Sequence, residues 1–264
     1  MPHRKKFKTI KLEVRGHVAW VILNRPEIHN AFNDVMIAEI TAAFFIICAR
    51  QDIRVAILTG EGDTFCAGAD LAWMREVLDY TYDENLSDSQ RLADMMHVIS
   101  ICPLPTIARV NGPAIGGGCG FVAACDVAVA SNKAFFSFAE VKLGIVPAVI
   151  SPYVLRKIGD RYCREYFLTG EKFSAEKAHA AGLVNRVAEE TEIDSVVNIY
   201  IEKFLACGPN ALERCKQLLL KIPSLSEPEL SKYTSEMITE LRISDEGQEG
   251  MKAFFEKRRP KWLK

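Results

Sequence analysis

Apolar and polar positions alternate along the first section of the chain, TIKLEVRGHVAWVILNRP, in two β-rich runs either side of Arg15-Gly16-His17. That pattern predicts a hairpin closed by Pro26. From residue 33 or 34 to about 50 the period changes. Val35, Ile40, Ala43, Phe44 and Ile47 recur at helical spacing. Residues 55–60, VAILTG, are a short continuous apolar run ending in Gly, as expected of a strand buried on both faces. After Leu71 the chain turns polar through LDYTYDENLSDSQ, read here as a mobile connection, and a second helix pattern runs from about Ser89 to Ser100 until Pro103 and Pro105 stop it. PTIARV reads as a strand, NGPAIGGGCG as a Gly-rich turn, and FVAACDVAVAS as a short helix running into another strand. Strands alternating with helices indicate an α/β domain with crossover connections.

The character changes after about residue 190. DSVVNIYIEKFLAC, NALERCKQLLLKI, SEPELSKYTSEMITELRIS and EGQEGMKAFFEKRR are helix patterns separated by Gly, Pro or Ser. The expected organisation is a core over residues 1–190 and a helical region over 191–264. The apolar faces of that region need covering, by the core or by a neighbouring subunit.

Charge narrows the partners. Lys plus Arg (33) nearly balances Asp plus Glu (34). Neither nucleic acid nor an anionic membrane is an expected partner. Every apolar run is broken by charge or Gly before ~18 residues, so no membrane span is expected. The basic start MPHRKKFKTI has no apolar stretch behind it and reads as a solvated lead-in to a strand, not a signal peptide. The eight cysteines form no Cys-x-x-Cys pair and have no His cluster beside them, which argues against zinc. They read as small buried hydrophobes in a reducing, cytoplasmic setting.

Three segments are candidates for chemistry. TFCAGAD (64–70) and NGPAIGGGCG (111–120) each follow a strand, and their small residues let the backbone approach a ligand closely. Backbone N–H groups at such turns point at developing negative charge. Taken alone, each reads first as a tight strand-to-helix connection. Neither the P-loop pattern nor a dinucleotide-binding pattern is present around Gly116–Gly120. In FSFAEVKLGIVP (136–147), Glu140 lies among apolar residues, with Leu143, Ile145 and Val146 just beyond. A carboxylate in an apolar wall has a raised pKa suited to proton exchange; on a solvated turn it would instead pair with Lys142.

Together with VILNRPEIHNAF, FLTGEKFSAEKAHAAGLVNRV and EGMKAFFEKRRPKW, these three segments resemble the enoyl-CoA hydratase/isomerase (crotonase) superfamily over nearly the whole chain. The resemblance implies a ββα spiral core with a helical C-terminal trimerisation region, assembled as a homotrimer or homohexamer. It implies an acyl-CoA thioester as substrate, with no separate cofactor. The backbone N–H groups of Ala67 and Gly117 would form an oxyanion hole, and Ala67, Gly68, Ala69 and Asp70 would line the CoA-binding turn. Glu140 would move protons. Phe254 and Lys257 match terminal-helix positions that contact the CoA nucleotide.

One departure matters. The hydratases' other catalytic glutamate falls at Gly120, and neither Cys119 nor Phe121 supplies a carboxylate. The expected activity is water addition across the C2–C3 double bond of an enoyl-CoA; alternatives are a single-carboxylate double-bond isomerase and a non-catalytic acyl-CoA binder. RPEIHNAF, GADLAWM, the Gly at 120 and VKLGIVPAVISPYV together look like the bacterial methylglutaconyl-CoA hydratase subgroup of leucine catabolism, a combination that the related geranyl-CoA pathway hydratases share. Arg75 and Ser151 are candidate partners for a carboxylate on such a substrate. His29, near the expected CoA turn, is a candidate ligand contact. His17, His97, His179 and Asp126 read as structural or exposed.

Overall fold

The computed structural model describes residues 7–263; residues 1–6 of the expected lead-in MPHRKKFKTI lie outside them. Strands β1 (Ile10–Arg15) and β2 (Val18–Leu23) form the expected antiparallel hairpin, turning at Gly16. Helix α1 (Asp34–Cys48) is capped by the Asn33 side chain, which accepts the Met36 N–H. β3 (Val55–Gly60) is buried along its whole length, as its unbroken apolar run requires.

Three turns of a ββα spiral then follow the same plan. In the first, β3 leads to a bridge at Cys66 and then to α2 (Leu71–Val77) and α3 (Tyr82–Ile101). In the second, β4 (Thr106–Val110) leads to β5 (Ala114–Ile115) and α4 (Gly117–Ala124). In the third, β6 (Val127–Ser131) leads to β7 (Phe135–Ser137), a short 3-10 turn over Ala139–Leu143, and α5 (Ser151–Thr169). β8 (Lys172–Ser174), α6 (Ala175–Ala181) and β9 (Arg186–Ala188) complete the core. The large sheet runs β1-β2-β3-β4-β6-β9, parallel from β2 onward, and the small sheet runs β5-β7-β8.

The stretch 78–90, expected to be mobile, is mostly helix. α3 starts at Tyr82, seven residues earlier than the period alone indicated, on a capping box in which Thr81 and Glu84 satisfy each other's backbone N–H groups.

The C-terminal helices are α7 (Ile193–Ala206), α8 (Pro209–Lys221), α9 (Glu227–Ile243) and α10 (Asp245–Phe255). They are not one appendage. α1, α3, α4 and α5 cover one face of the large sheet. α7 covers the other, where Ile193, Val197 and Ile201 bury against Val18, Val55, Ile57, Ile107 and Val129. Although α7 follows residue 190, it is thus part of the core packing. α8 is tied to the core by Lys216, whose ammonium donates to the Leu104 carbonyl and to Asp126 at 2.7 Å. Asp126 also accepts from the Thr106 N–H and hydroxyl, so it is the hydrogen-bonded structural carboxylate expected. No described helix is long and apolar enough to cross a membrane.

Candidate active site

The three candidate segments occupy one structural position. Each lies ahead of the helix of a successive spiral turn, after the Cys66 bridge in the first and after a small-sheet strand in the others: 67–70 ahead of α2, 116–117 ahead of α4, and 138–140 ahead of α5. Backbone hydrogen bonds stack the turns, from the Ile115 N–H to the Cys66 carbonyl (2.9 Å) and from the Gly116 N–H to the Ser137 carbonyl (2.8 Å). Segments far apart in sequence therefore become neighbours.

In the first turn, the chain at 68–70 is strapped to Phe32. The Phe32 N–H donates to the Gly68 carbonyl, and the Asp70 N–H donates to the Phe32 carbonyl, each at 2.8 Å. Along an extended strand successive N–H groups point to opposite sides. The Ala69 N–H is thereby turned away from Phe32 and has no acceptor among the described residues. The Ala67 N–H is different: it donates to the His29 carbonyl at 3.0 Å. This corrects the expectation that Ala67 is an oxyanion donor, because its one proton is already committed.

Asp70 is also committed. It accepts the Ala72 N–H as the N-cap of α2 and pairs with Arg25 at 2.7 Å. Burial alone would raise its pKa, but the Ala72 and Arg25 hydrogen bonds outweigh burial and hold it below the usual carboxylate range. Its role in the turn is to fix the backbone. His29 takes a left-handed conformation, and its Nδ1 lies 3.2 Å from the Thr64 hydroxyl.

In the second turn, Gly116 has φ +53° and Gly117 opens α4. The Gly117 N–H has no acceptor among the described residues, as expected of the first residue of a helix. The Phe32 ring fills the place a side chain at 117 would take: a Cβ there would stand 2.6 Å from Phe32 Cε1. Phe32 packs in turn on Phe121 and Trp73, with ring centroids at 5.6 and 6.0 Å. The Trp73 indole N–H is buried and unpartnered. Neither Phe32 nor Trp73 stood out in the sequence, since aromatic residues at apolar positions look like ordinary core.

In the third turn, the 3-10 helix carries Glu140 to the Gly116 backbone. A Cβ at Gly116 would be 3.0 Å from Glu140 Oε1. Glu140 Oε2 is buried and has no hydrogen-bond partner among the described residues. Desolvation pushes the Glu140 pKa up, and among the described residues no cation lies within salt-bridge distance to pull it down. The alternative pairing with Lys142 does not occur, because Lys142 turns its methylenes toward Gly170. The expected apolar wall is a different one, however. Leu143, Ile145 and Val146 are more than half exposed, and the glycine turn is what lies against the carboxylate.

At the far end of that turn, Gly120 faces a filled space. A Cβ there would overlap Ile150 Cγ2 and stand 3.0 Å from Met96 Cε. Ile150 and Met96 are both buried. Sequence reading registered the missing carboxylate but not its apolar replacement, which comes from a loop thirty residues on and from α3.

The remaining candidates do not join this cluster. The Ser151 hydroxyl donates to the Ala148 carbonyl. Arg75 is exposed on α2 and forms no ion pair among the described residues. His17 and His179 approach backbone carbonyls through Nδ1, and His97 is exposed. Phe254 and Lys257 sit at the exposed end of α10, which packs mainly on α9 and α8.

The whole chain has close counterparts. The enoyl-CoA hydratase/isomerase family profile matches residues 13–264. A Thermus thermophilus protein named for enoyl-CoA hydratase is 35% identical, over 94% of this chain and 98% of its own. The (E)-benzylidenesuccinyl-CoA hydratase of Thauera aromatica is 33% identical, over 95% of this chain and 97% of its own. An enoyl-CoA hydratase structure from Shewanella pealeana superposes with a TM-score of 0.95 at 37% identity, covering 98% of this chain and 97% of that one. With its spiral core, stacked glycine turns and half-buried glutamate, the chain belongs to the enoyl-CoA hydratase/isomerase family.

Proposed function

We propose that this protein adds water across the C2–C3 double bond of an enoyl-CoA, with Glu140 as the proton-transfer group. The observation that carries this reading is the buried, unpartnered Glu140 Oε2 beside the uncommitted Gly117 N–H. A raised carboxyl pKa suits proton exchange near neutrality. The Gly117 N–H and the Ala69 N–H, in place of Ala67, hold the thioester oxygen as it gains enolate charge. Each such donor is worth roughly 2.7–4 kcal/mol in a comparable site. Gly68 and Ala69 line the path of the CoA arm. Phe254 and Lys257 contact its nucleotide end, within one subunit or across a homotrimer or homohexamer. The exposed apolar side chains of the C-terminal helices, among them Leu219, Ile238, Ile243 and Phe255, are consistent with such an assembly.

The acyl group we propose carries a second carboxylate, as in methylglutaconyl-CoA. The Thauera relative's named substrate is likewise a thioester of a dicarboxylic acid, and Arg75, exposed on α2, is the cation proposed to meet that carboxylate. A specific observation favours a second reading. Ile150 and Met96 occupy the space beside Gly120, leaving one carboxylate, which is all that a double-bond isomerase needs.

One assay separates the two readings. Hydration removes the conjugated-enoyl absorbance of crotonyl-CoA or methylglutaconyl-CoA. Isomerisation creates that absorbance from a 3-enoyl-CoA. Loss with methylglutaconyl-CoA is the expected result; gain with the 3-enoyl substrate and no loss with either other would replace hydratase by isomerase.

A further inference from the structure

Two thiols remote from the glycine turns stand together. Cys48 ends α1 and Cys102 caps the C-terminus of α3. Their sulfurs are 3.4 Å apart, across 54 residues of chain. Cys102 is buried, whereas Cys48 is half-buried and lines an open cleft of about 350 Å³. The cleft runs between the core, at Arg50, Arg54 and Pro103, and the start of α8, at Pro209 and Glu213. A small oxidant in the cleft thus meets Cys48 first. The other buried cysteines, Cys66, Cys119, Cys125 and Cys163, have no thiol partner among the described residues.

The pair is chemically unequal. The hydrogen bond between the sulfurs favours the Cys48 thiolate, burial opposes it, and the nearby Lys216 ammonium supports it; the net effect is a lowered pKa. The same hydrogen bond and burial push Cys102 strongly up. Thiolate character and access both select Cys48 as the nucleophile. A disulfide has its sulfurs about 2.0 Å apart, so closure from 3.4 Å needs about 1.4 Å of movement. Both residues sit at helix ends, where the chain yields more readily than inside a helix.

We propose that Cys48 and Cys102 are a peroxide-oxidisable dithiol, a reversible modification site at the seam between the spiral core and α8. The Cys48 thiolate attacks one peroxide oxygen. An S–O bond forms as the O–O bond breaks, and hydroxide leaves to become water. The Cys102 sulfur then attacks the Cys48 sulfur. The S–S bond forms, the S–O bond breaks, and the departing hydroxyl takes the Cys102 proton as a second water. The two sulfurs together lose two electrons and the peroxide gains them. A dithiol reductant reverses the change by exchange.

The test uses the full chain and hydrogen peroxide. After exposure to a stoichiometric amount, the protein is denatured with an alkylating agent and its tryptic peptides are mapped by mass. The expected result is the Cys48 peptide joined to the Cys102 peptide, loss of two of the eight alkylatable thiols, and return of both after dithiothreitol. Cys102→Ser should leave Cys48 as a sulfenic acid trapped by dimedone. A Cys207→Ser/Cys215→Ser variant, lacking the exposed thiols, should still form the link. The proposal is overturned if Cys48 and Cys102 stay fully alkylatable under peroxide that oxidises Cys207 or Cys215, or if Cys48 is found joined to another cysteine. Should Cys102→Ser not fold, the wild-type peptide map decides alone.

Discussion

The two ends of the GGGCG turn use glycine for opposite purposes. At Gly116 the missing side chain leaves room for a carboxylate, Glu140, and the positive φ bends the chain toward it. At Gly120 it leaves room for Ile150 and Met96, which make that side of the turn apolar. The same residue type, four positions apart, thus builds a site with acid–base capacity on one side only. The lesson is that a glycine has to be read through whatever fills the volume it vacates.

The sharpest way to break the comparison is to neutralise the polar side. Glu140→Gln should lower kcat roughly 10²–10⁴-fold with KM little changed, because a positioned acid–base group acts on the barrier and not on binding. Steady-state kinetics on the best substrate checks this. More than a tenth of wild-type activity would remove Glu140 from its role, since a tenth is only ~1.4 kcal/mol of barrier.

A smaller effect is expected at Gly116→Ala. Its Cβ would press on Glu140 Oε1 at 3.0 Å, in a left-handed backbone conformation that alanine resists. A displacement of about 1 Å can cost roughly 10² in rate. Kinetics and a thermal melt should show a loss of rate out of proportion to the loss of stability.

At the apolar end the order reverses, with stability suffering first. Gly120→Ala should cost about 1–3 kcal/mol by overpacking against Ile150, measured by denaturant unfolding. The companion Ile150→Ala removes the overlapping Cγ2 but leaves a Cβ at 3.0 Å, so the double variant should be more stable than the two separate losses summed would give. Gly120→Glu is therefore an uninformative test by itself. Gly120→Glu with Ile150→Ala gives the carboxylate space, and a rise in crotonyl-CoA hydration would show that the wild-type site is a hydratase site lacking one carboxylate.

The smallest effect concerns pH. Desolvation raises the folded pKa of Glu140 above that of an ordinary glutamate. The native state therefore holds this proton more tightly than the unfolded chain does. Stability from that proton is complete below the unfolded pKa and is lost as pH rises through the folded one. The stability of Glu140→Gln relative to wild type should rise over that window and be flat on either side. Each tenfold of extra proton affinity is worth about 1.4 kcal/mol, readable from melts across the window. A constant difference would mean that Glu140 is not desolvated.

Much of this site is visible in the chain itself. Small residues after strands mark the glycine turns, and a lone carboxylate among apolar residues marks Glu140. What the sequence hides is who faces whom. The Ala67 N–H is spent because His29 folds back over it, and Ala69 is turned outward because Phe32 pairs beside it. Neither partner lies in the motif. Ile150 likewise comes from outside the glycine turn. The early start of α3 was legible in Thr81-x-x-Glu84, but the charged run around it resembled a solvated loop. α7 shows a helical period, yet no period says that the helix will close the second face of a sheet whose β2 and β3 end at Leu23 and Gly60.

The stacking of the spiral has a practical corollary. Neighbouring strands lie about 4.8 Å apart, so the junctions sit like brackets on a rack of fixed pitch, each holding one tool: a turn of backbone donors, a second such turn, a carboxylate. Because each bracket is a separate excursion from its own pair of strands, a designer could exchange the residues of one junction and leave the height and spacing of the others intact.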